Sequence, residues 1–350
     1  MDNRTRIDWS RRRTEFDSVI DAAGLTPLVR LNRVTAGSAA TFWVKVEYFG
    51  PSQSVKDRIL PRLVRNAMER GELKQGMRII EGTTGNTGIA TSMVGAALGF
   101  PVTIVMPAGM SQERQKTVRA YGAELVLTPG AESDVDLVLE KVRELKAADP
   151  GMYWEVGQFD NPDNIAAHYA STGPEIWEQT GGLIDAFVAS QGTGGTLTGV
   201  AKYLKEQDSR ITAYAVEPAE CPILAGGGWG PHLIEGIGDG FIPENLHIDL
   251  LDGVIEVESR AAIEMARRLA REEGIFCGIS SGCNVVAALK LARAKPDLHH
   301  ICTMVNDNGL RYLSTELLGE ATELDVPDRQ HDLSDADKRK LTEHPLEVIR

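Results

Sequence analysis

Short apolar runs alternate with amphipathic stretches along most of the chain. Runs rich in Val, Ile and Phe predict strands at 42–47, 78–81, 102–106, 124–127, 184–190, 211–217 and 299–305. Apolar residues at helical spacing predict helices at 57–70, 134–147 and 259–273. Because strands that alternate with helices form parallel sheets with crossover helices, the pattern predicts an α/β fold.

The alternation falls into two blocks, roughly 41–158 and 159–320, and the chain of 350 residues is long enough for two domains. After about residue 322 the chain becomes charged and polar, with a helical stretch at Ser334–Glu343. We expect this tail to be a solvated appendage or a subunit clamp. Ligands of open α/β sheets bind at the carboxyl ends of the strands, so we expect a cleft there.

Composition and charge exclude several classes of partner. With 42% hydrophobic and 25% charged residues the chain is typical of a globular protein. A formal net charge of −13 opposes binding to nucleic acid, because contacts to phosphates need clustered Lys and Arg. The uncharged stretch 82–110 is interrupted by Pro101 and Pro107, so it predicts a helix, a turn and a buried strand rather than a membrane span.

The cysteines and the N-terminus indicate a cytoplasmic protein. The N-terminal residues include no apolar stretch of the kind found in secretory signals. The four cysteines lack CxxC spacing, which indicates buried thiols in a reducing compartment and no bound metal. They are Cys221, Cys277, Cys283 and Cys302.

A glycine- and threonine-rich segment, Ser190–Gly199, follows a predicted strand and opens a predicted helix. Backbone N–H groups and hydroxyls there can converge on a phosphate at the positive end of the helix dipole. Leu197 stands where a dinucleotide fingerprint needs glycine, and a Walker loop would need Gly-Lys-Ser/Thr, so neither NAD nor ATP is favoured. The alternative is an ordinary tight turn that needs glycine for its backbone.

A second loop of the same kind, Glu81–Gly88, begins where the predicted strand 78–81 ends. Its hydroxyls, amide and helix N-terminus suit a carboxylate, although a hydrogen-bonded turn would use the same residues. Lys56 lies between a predicted strand and a predicted helix, where a lysine is ordinarily a solvated charge. Placed between two anion-binding loops, it could form a Schiff base with pyridoxal 5′-phosphate (PLP) and act as a base.

Many motifs of the chain resemble one family in unbroken order over about residues 20 to 318. They are PSQSVKDR, TTGNTG, VMPAGMSQERQKTVRAYGAELVLTPG, TGPEIWEQT, QGTGGTLTGV, GIGDGFIPE, EEGIFCGISSG and RYLSTEL. The chain resembles the cysteine synthase (O-acetylserine sulfhydrylase) and cystathionine β-synthase family of PLP enzymes. This resemblance implies the two-domain fold type II, like that of tryptophan synthase β, with a smaller domain at 41–158, a larger PLP-phosphate-binding domain at 1–40 and 159–322, and a tail at 323–350.

The resemblance also implies roles for individual residues. Lys56 becomes the Schiff-base lysine and Asn86 the partner of the cofactor's 3-oxygen. The phosphate cradle becomes Gly192, Thr193, Gly194, Gly195 and Thr196. The site for the substrate carboxylate becomes Thr84, Gly85, Asn86, Thr87 and Gln158.

Two residues depart from the family pattern. Asn308 stands where a serine usually meets the pyridine nitrogen, and a neutral amide there need not stabilise a protonated ring. Glu235 stands where many sulfide-using members carry glutamine. A carboxylate at the cleft mouth could deprotonate an amine or thiol nucleophile, whereas it would repel HS⁻. The alternative is that Glu235 is exposed or paired with an arginine.

The implied function is replacement of the leaving group of an activated L-serine, such as O-acetylserine, through an α-aminoacrylate. Sulfide, giving L-cysteine, is the first choice of nucleophile. An amino-acid thiol or amine, as in a cystathionine β-synthase-like or diaminopropionate-type synthase, is the alternative. A non-catalytic scaffold of the same fold is a rival of another class. The implied partners are a small-molecule amino-acid substrate and a second copy of the chain in a homodimer, without nucleic acid or membrane.

Overall fold

The computed structural model describes residues 7–130, 134–319 and 333–350. Its strands are β1 (Leu28–Arg30), β2 (Thr41–Val46), β3 (Arg78–Gly82), β4 (Val102–Pro107), β5 (Glu124–Thr128), β6 (Tyr153–Glu155), β7 (Ala186–Ser190), β8 (Thr212–Pro218), β9 (Gly253–Val257), β10 (His300–Val305) and β11 (Glu347–Ile349). Its α-helices are α1 (Leu60–Glu69), α2 (Asn86–Leu98), α3 (Gln112–Ala120), α4 (Val135–Ala148), α5 (Asp163–Ala170), α6 (Thr172–Gln179), α7 (Gly195–Gln207), α8 (Ser259–Arg268), α9 (Ile279–Ala294) and α10 (Asp335–Glu343).

The strands form two sheets. The larger has seven strands in the order β1-β2-β10-β7-β8-β9-β11, and the smaller has four in the order β5-β4-β3-β6. Every pairing is parallel except that of β1 with β2. The predicted class, an α/β fold with mostly parallel sheets and flanking helices, is confirmed.

The seven predicted strands all form, but the first lies in a different sheet from the one expected. The sequence analysis gave strand 42–47 to the block 41–158, whereas β2 pairs with β10 in the larger sheet, with Val44 opposite Thr303. The apolar pattern of β2 is compatible with either sheet, because the side chains of a strand do not specify which neighbouring strand it pairs with. The pattern missed β1, β6, β9 and β11, which are only three to five residues long.

The C-terminal residues differ from a solvated appendage. The side chain of Ser334 accepts a hydrogen bond from the Asp337 N–H at 3.1 Å and caps α10, as expected for a helix at Ser334–Glu343. Beyond it, β11 pairs in parallel with β9 and becomes the edge of the larger sheet. For these residues the alternative of a solvated appendage is therefore wrong, because an exposed sheet edge offers hydrogen bonds to a short apolar segment, and the subunit clamp stays a prediction. Residues 323–332 of the expected tail lie outside the described residues.

A buried ionic cluster joins Arg58 to the end of β2 and to helix α6. The Arg58 guanidinium contacts Glu47 at 2.7 Å and Glu175 at 2.5 Å, and Lys45 contacts Glu175 at 2.7 Å. Burial alone would raise the pKa of Glu175, but Arg58 and Lys45 lower that pKa to about 2. This cluster lies directly behind the short helical turn that carries Lys56, so it fixes the base of the cleft.

Within the described ranges, no helix is both long and apolar enough to cross a membrane. The same residues include no group of His, Cys, Asp and Glu arranged to hold a metal ion.

Candidate active site

Lys56 lies on a 3-10 turn, Val55–Arg58, at the carboxyl end of β10. The Val55 N–H donates to the Asn306 carbonyl at 2.8 Å, and the Ser54 hydroxyl accepts a hydrogen bond from the Lys56 N–H at 3.3 Å. The sequence folds this way because Ser54 and Asp57 form a capping box at the start of the turn. The backbone of Lys56 is therefore fixed where parallel strands end, which is where α/β proteins bind ligands.

The Lys56 amine is set up as a nucleophile. It has no hydrogen-bond or ion-pair partner in the part of the chain that the structure describes. Burial lowers the pKa of Lys56, while Asp239, Asp307 and Glu81 act in the opposite direction. A lowered pKa increases the fraction of neutral amine, which is the form that attacks an aldehyde.

The loop between β7 and α7 forms a cradle at a helix N-terminus. Gly194 precedes the helix in the left-handed region at φ 83°, and an added β-carbon would lie 2.6 Å from the Leu246 nitrogen. A β-carbon on Gly192 would lie 2.7 Å from the Gly236 carbonyl oxygen. Glycine is thus required at both positions, and the first N–H groups of α7 remain available to an anion.

Two residues that the sequence analysis missed orient the hydroxyls of this cradle. Asn164 donates to the Thr193 hydroxyl at 3.0 Å, and the Nε2 atom of His168 lies 3.1 Å from the Thr196 hydroxyl. Burial lowers the pKa of His168 well below its ordinary value, so its ring is neutral at pH 7. Both lie on α5, a segment to which the sequence analysis assigned no role in the site.

The loop after β3 forms the opposite wall of the cleft. The Gly85 N–H donates to the Thr83 hydroxyl at 3.1 Å, and the Thr87 hydroxyl donates to the Gln158 side chain. Thr84, Gly85, Asn86, Thr87 and Gln158 line the same part of the cleft as Lys56. The structure therefore brings together all five residues expected to hold a carboxylate.

Asn86 connects this wall to the larger sheet. Its side-chain amide donates to Asp307 at 2.7 Å, and the Tyr312 hydroxyl donates to the same carboxylate oxygen at 2.8 Å. The Oδ1 atoms of Asn86 and Asp307 are buried without a hydrogen-bond partner in the described residues. Such unsatisfied polar atoms beside Lys56 indicate a place for a polar ligand.

The structure does not place Asn308 in the cleft. Its side chain accepts a hydrogen bond from the Leu310 N–H at 2.8 Å and caps the turn Gly309–Tyr312. Ser280 and Asn306 line the cleft instead, joined by a hydrogen bond of 3.2 Å. The sequence could not distinguish these residues, because neighbouring residues of a turn point in different directions.

Glu235 lies in the loop after β8 and forms an ion pair with Arg114 of α3. The Arg114 guanidinium also lies over the ring of Tyr312, 4.5 Å from its centroid. Of the two alternatives for Glu235, pairing with an arginine is the one that the structure contains. Sequence reasoning missed Arg114 and also Asp239, which lines the cleft with Lys56 and Gln158.

The sequence of residues 19–307 matches the family model described as pyridoxal-phosphate dependent enzyme. The chain belongs to this family. Membership supplies the cofactor that the cleft needs, since PLP carries an aldehyde for an amine, a phosphate for the cradle and a 3-oxygen for an amide. Lys56, the cradle with its obligatory glycines and the Asn86 amide, which has a second N–H to donate beside the one given to Asp307, fit these three groups.

Known members of the family resemble most of the chain. It is 45% identical over 302 residues to a cysteine synthase of Staphylococcus aureus, which covers 86% of this chain and 96% of that protein. The crystal structure of an Entamoeba histolytica cysteine synthase superposes with a TM-score of 0.84 at 42% identity, covering 89% of this chain and 93% of that one. That of an O-ureido-L-serine synthase superposes with a TM-score of 0.81 at 39% identity, covering 89% and 98%.

Proposed function

We propose that this protein replaces the leaving group on the β-carbon of an activated L-serine, such as O-acetyl-L-serine, with sulfide to form L-cysteine. The observation that carries this proposal is the position of the Lys56 amine between two anion-binding loops in one cleft. Similarity to cysteine synthases over most of the chain supports the same reaction.

Different residues of the cleft have different roles in this reaction. Lys56 holds PLP, the loop Gly192–Thr196 holds its phosphate, and Asn86 contacts its 3-oxygen. When bound, PLP supplies an electron sink that makes the Cα proton of the substrate acidic. Thr84, Gly85, Thr87 and Gln158 hold the substrate carboxylate and orient the Cα–H bond. The Lys56 amine, once free, removes the proton from Cα.

An amino-acid thiol or amine is the second candidate nucleophile. Its support is electrostatic, because the Asp239 carboxylate lies in the cleft wall near Lys56 and repels an anion such as HS⁻, whereas the charge of Glu235 is paired with Arg114. A relative of the same shape is named for the product O-ureido-L-serine rather than cysteine. Experiment must therefore decide which nucleophile this protein uses.

The test identifies the donor and the nucleophile in two separate steps. Purified protein loaded with PLP is mixed with O-acetylserine, O-phosphoserine or serine without a nucleophile. Released acetate or phosphate is measured in a single turnover for the first two donors, and loss of the donor is measured for serine, which releases water. Sulfide, homocysteine and an amino acid with a free amine are then supplied in turn, and the products, cysteine, cystathionine or a diaminopropionate-type compound, are identified by mass spectrometry. Cysteine from O-acetylserine and sulfide is the expected result. A protein that binds no PLP and consumes none of the three donors would instead be a binding scaffold, and the proposal would be wrong.

We further propose that the protein works in the cytoplasm as a homodimer. The buried free thiols of Cys221, Cys277, Cys283 and Cys302 suit a reducing compartment. Exposed apolar side chains at Leu310, Leu313 and Leu318 suit a contact between copies. Light scattering of the purified protein at micromolar concentration tests the dimer, and a monomeric mass would contradict it.

A further inference from the structure

The loop after β8 brings two carboxylates to the cleft, but only one of them is paired. Glu235 is bound to Arg114. Asp239 lines the cleft with Lys56, Thr84 and Gln158. In the described part of the chain the Asp239 carboxylate has neither a hydrogen-bond partner nor an ion-pair partner. Asp239 is therefore a charged side chain in the same part of the cleft as Lys56, and none of the contacts in the described residues gives it a structural role.

The backbone fixes the direction of this side chain. Asp239 stands between Gly238 at φ 72° and Gly240 at φ 84°, both in the left-handed region that favours glycine. The Gly238 N–H donates to the Gln191 carbonyl at 3.2 Å, at the start of the phosphate cradle. A β-carbon on Gly240 would lie 2.6 Å from the Trp229 ring. The loop therefore has little freedom to turn Asp239 out of the cleft.

The charges around Asp239 tune its basicity. Burial raises the pKa of Asp239 to about 6, and Lys56 acts in the opposite direction. Two other features near Asp239 carry charged or titratable groups. Arg114 and Glu235 form an ion pair and neutralise each other. The pKa of the Cys221 thiol is raised to about 11, mainly by burial and also by the charge of Asp239. Asp239 is thus ionised at pH 7 while being a stronger base than an exposed aspartate.

We propose that Asp239 is the general base that acts on the nucleophile. Its carboxylate accepts the proton which the nucleophile loses on bonding to the β-carbon. This inference rests on the proposed β-replacement. The bond between the nucleophile's sulfur or nitrogen and the β-carbon forms, its S–H or N–H bond breaks, and the proton moves to an oxygen of Asp239. Lys56 returns its own proton to Cα, and Asp239 releases its proton to solvent after the product leaves.

This assignment gives the two carboxylates different tasks. Glu235 cannot serve as a free base while its charge is held by Arg114, and it acts as a positioning residue for that guanidinium. Asp239 carries the proton-accepting task that the sequence analysis gave to Glu235. Nucleophiles that are protonated at neutral pH depend on such a base most strongly, which favours thiols and amines over hydrosulfide.

The test compares Asp239→Asn with Asp297→Asn. Asp297 is exposed in the turn before β10, at the opposite end of the strands from the cleft, so the control removes the same charge without touching the site. Each protein is loaded with PLP and supplied with O-acetylserine. The rate of acetate release is measured first without nucleophile, and the rate of thioether formation is then measured with 2-mercaptoethanol between pH 5 and 8.

Asp239→Asn is expected to release acetate as fast as the unaltered protein and to form the thioether on the order of 10²-fold more slowly. The unaltered protein and Asp297→Asn should show a rate that rises with an apparent pKa near 6, and Asp239→Asn should lose that rise. Equal slowing of acetate release and thioether formation, or an unchanged pH profile in Asp239→Asn, would overturn the proposal.

A second readout needs no turnover. Burial also raises the pKa of Asp57 to about 6, so both carboxyls contribute to the protonated-carboxyl band that appears when the apoprotein is titrated from pH 8 to pH 5 in infrared difference spectra. Asp239→Asn should lose the Asp239 share of that band, and Asp297→Asn should keep the full intensity. Unchanged intensity in Asp239→Asn would contradict the assignment. Absence of acetate release from the unaltered protein would instead refute the proposed function and leave the infrared result to decide the basicity of Asp239.

Discussion

The Arg114 guanidinium and the Glu235 carboxylate form an ion pair across the cleft, joining helix α3 beside the smaller sheet to the loop after β8 of the larger sheet. The pair is nearly buried, with side-chain exposures of 2% and 15%. Arg114 leaves no room for a side chain at Gly85, so the carboxylate-binding loop and the ion pair are packed as one unit. The two walls of the cleft are therefore coupled through this contact.

Glu235→Gln should destabilise the protein by about 3–5 kcal/mol, because it leaves the buried Arg114 charge without its partner. Urea unfolding at pH 7 measures the loss. Arg114→Gln combined with Glu235→Gln should be less destabilised than the sum of the single variants, with a coupling energy of about 0.5–3 kcal/mol. Additive losses would show that the two residues act independently.

Gly194→Asp should weaken PLP binding, because its side chain meets the backbone near Leu246 and places a negative charge at the phosphate cradle. Equilibrium dialysis against PLP measures the affinity. Gly194→Ala separates the two causes, since it keeps the backbone strain without the charge. As a control, Gly228→Asp adds the same charge at a glycine with open space at its β-carbon, and it should bind PLP normally. Unchanged affinity in Gly194→Asp would place the phosphate elsewhere.

Asn308→Ser should retain PLP and stability, because serine also caps a helical turn. Asn308→Ala should lose about 1 kcal/mol of stability on thermal or urea unfolding while PLP affinity stays the same. Loss of PLP in the alanine variant with unchanged stability would return Asn308 to the cofactor-binding role that the family resemblance implies.

Glu175→Gln should cost about 3–5 kcal/mol at pH 7, since it breaks a buried contact with Arg58. The pKa of Glu175 is depressed to about 2, so its stabilisation is complete above the unfolded pKa of about 4.3 and is lost as the pH falls toward 2. The difference between the two proteins in urea unfolding should therefore narrow below pH 4. Glu264→Gln, which alters an exposed pair with Arg267, should cost less than about 1 kcal/mol. A constant deficit from pH 7 to pH 3 would contradict the ionic explanation.

Periodicity identified seven strands of the described chain and the α/β class, because buried parallel strands are continuous apolar runs. It could not assign β2 to a sheet or find β11, since pairing partners and short edge strands depend on tertiary contacts. The glycine-rich loops were recognisable because Gly194 and its neighbours serve a backbone requirement visible in the sequence. Asp239 and Arg114 had no such signal, because a charged residue near a turn usually faces water and only the fold turns these inward.

The account depends most directly on the bond between PLP and Lys56. PLP-loaded protein is reduced with borohydride and digested, and the peptides are mapped by mass spectrometry. A phosphopyridoxyl group should be found on Lys56 at close to one per chain, on the same residue in a Lys74→Ala control, and nowhere in Lys56→Ala. Labelling of another lysine with Lys56 unmodified, or no labelling after PLP is bound, would contradict the account.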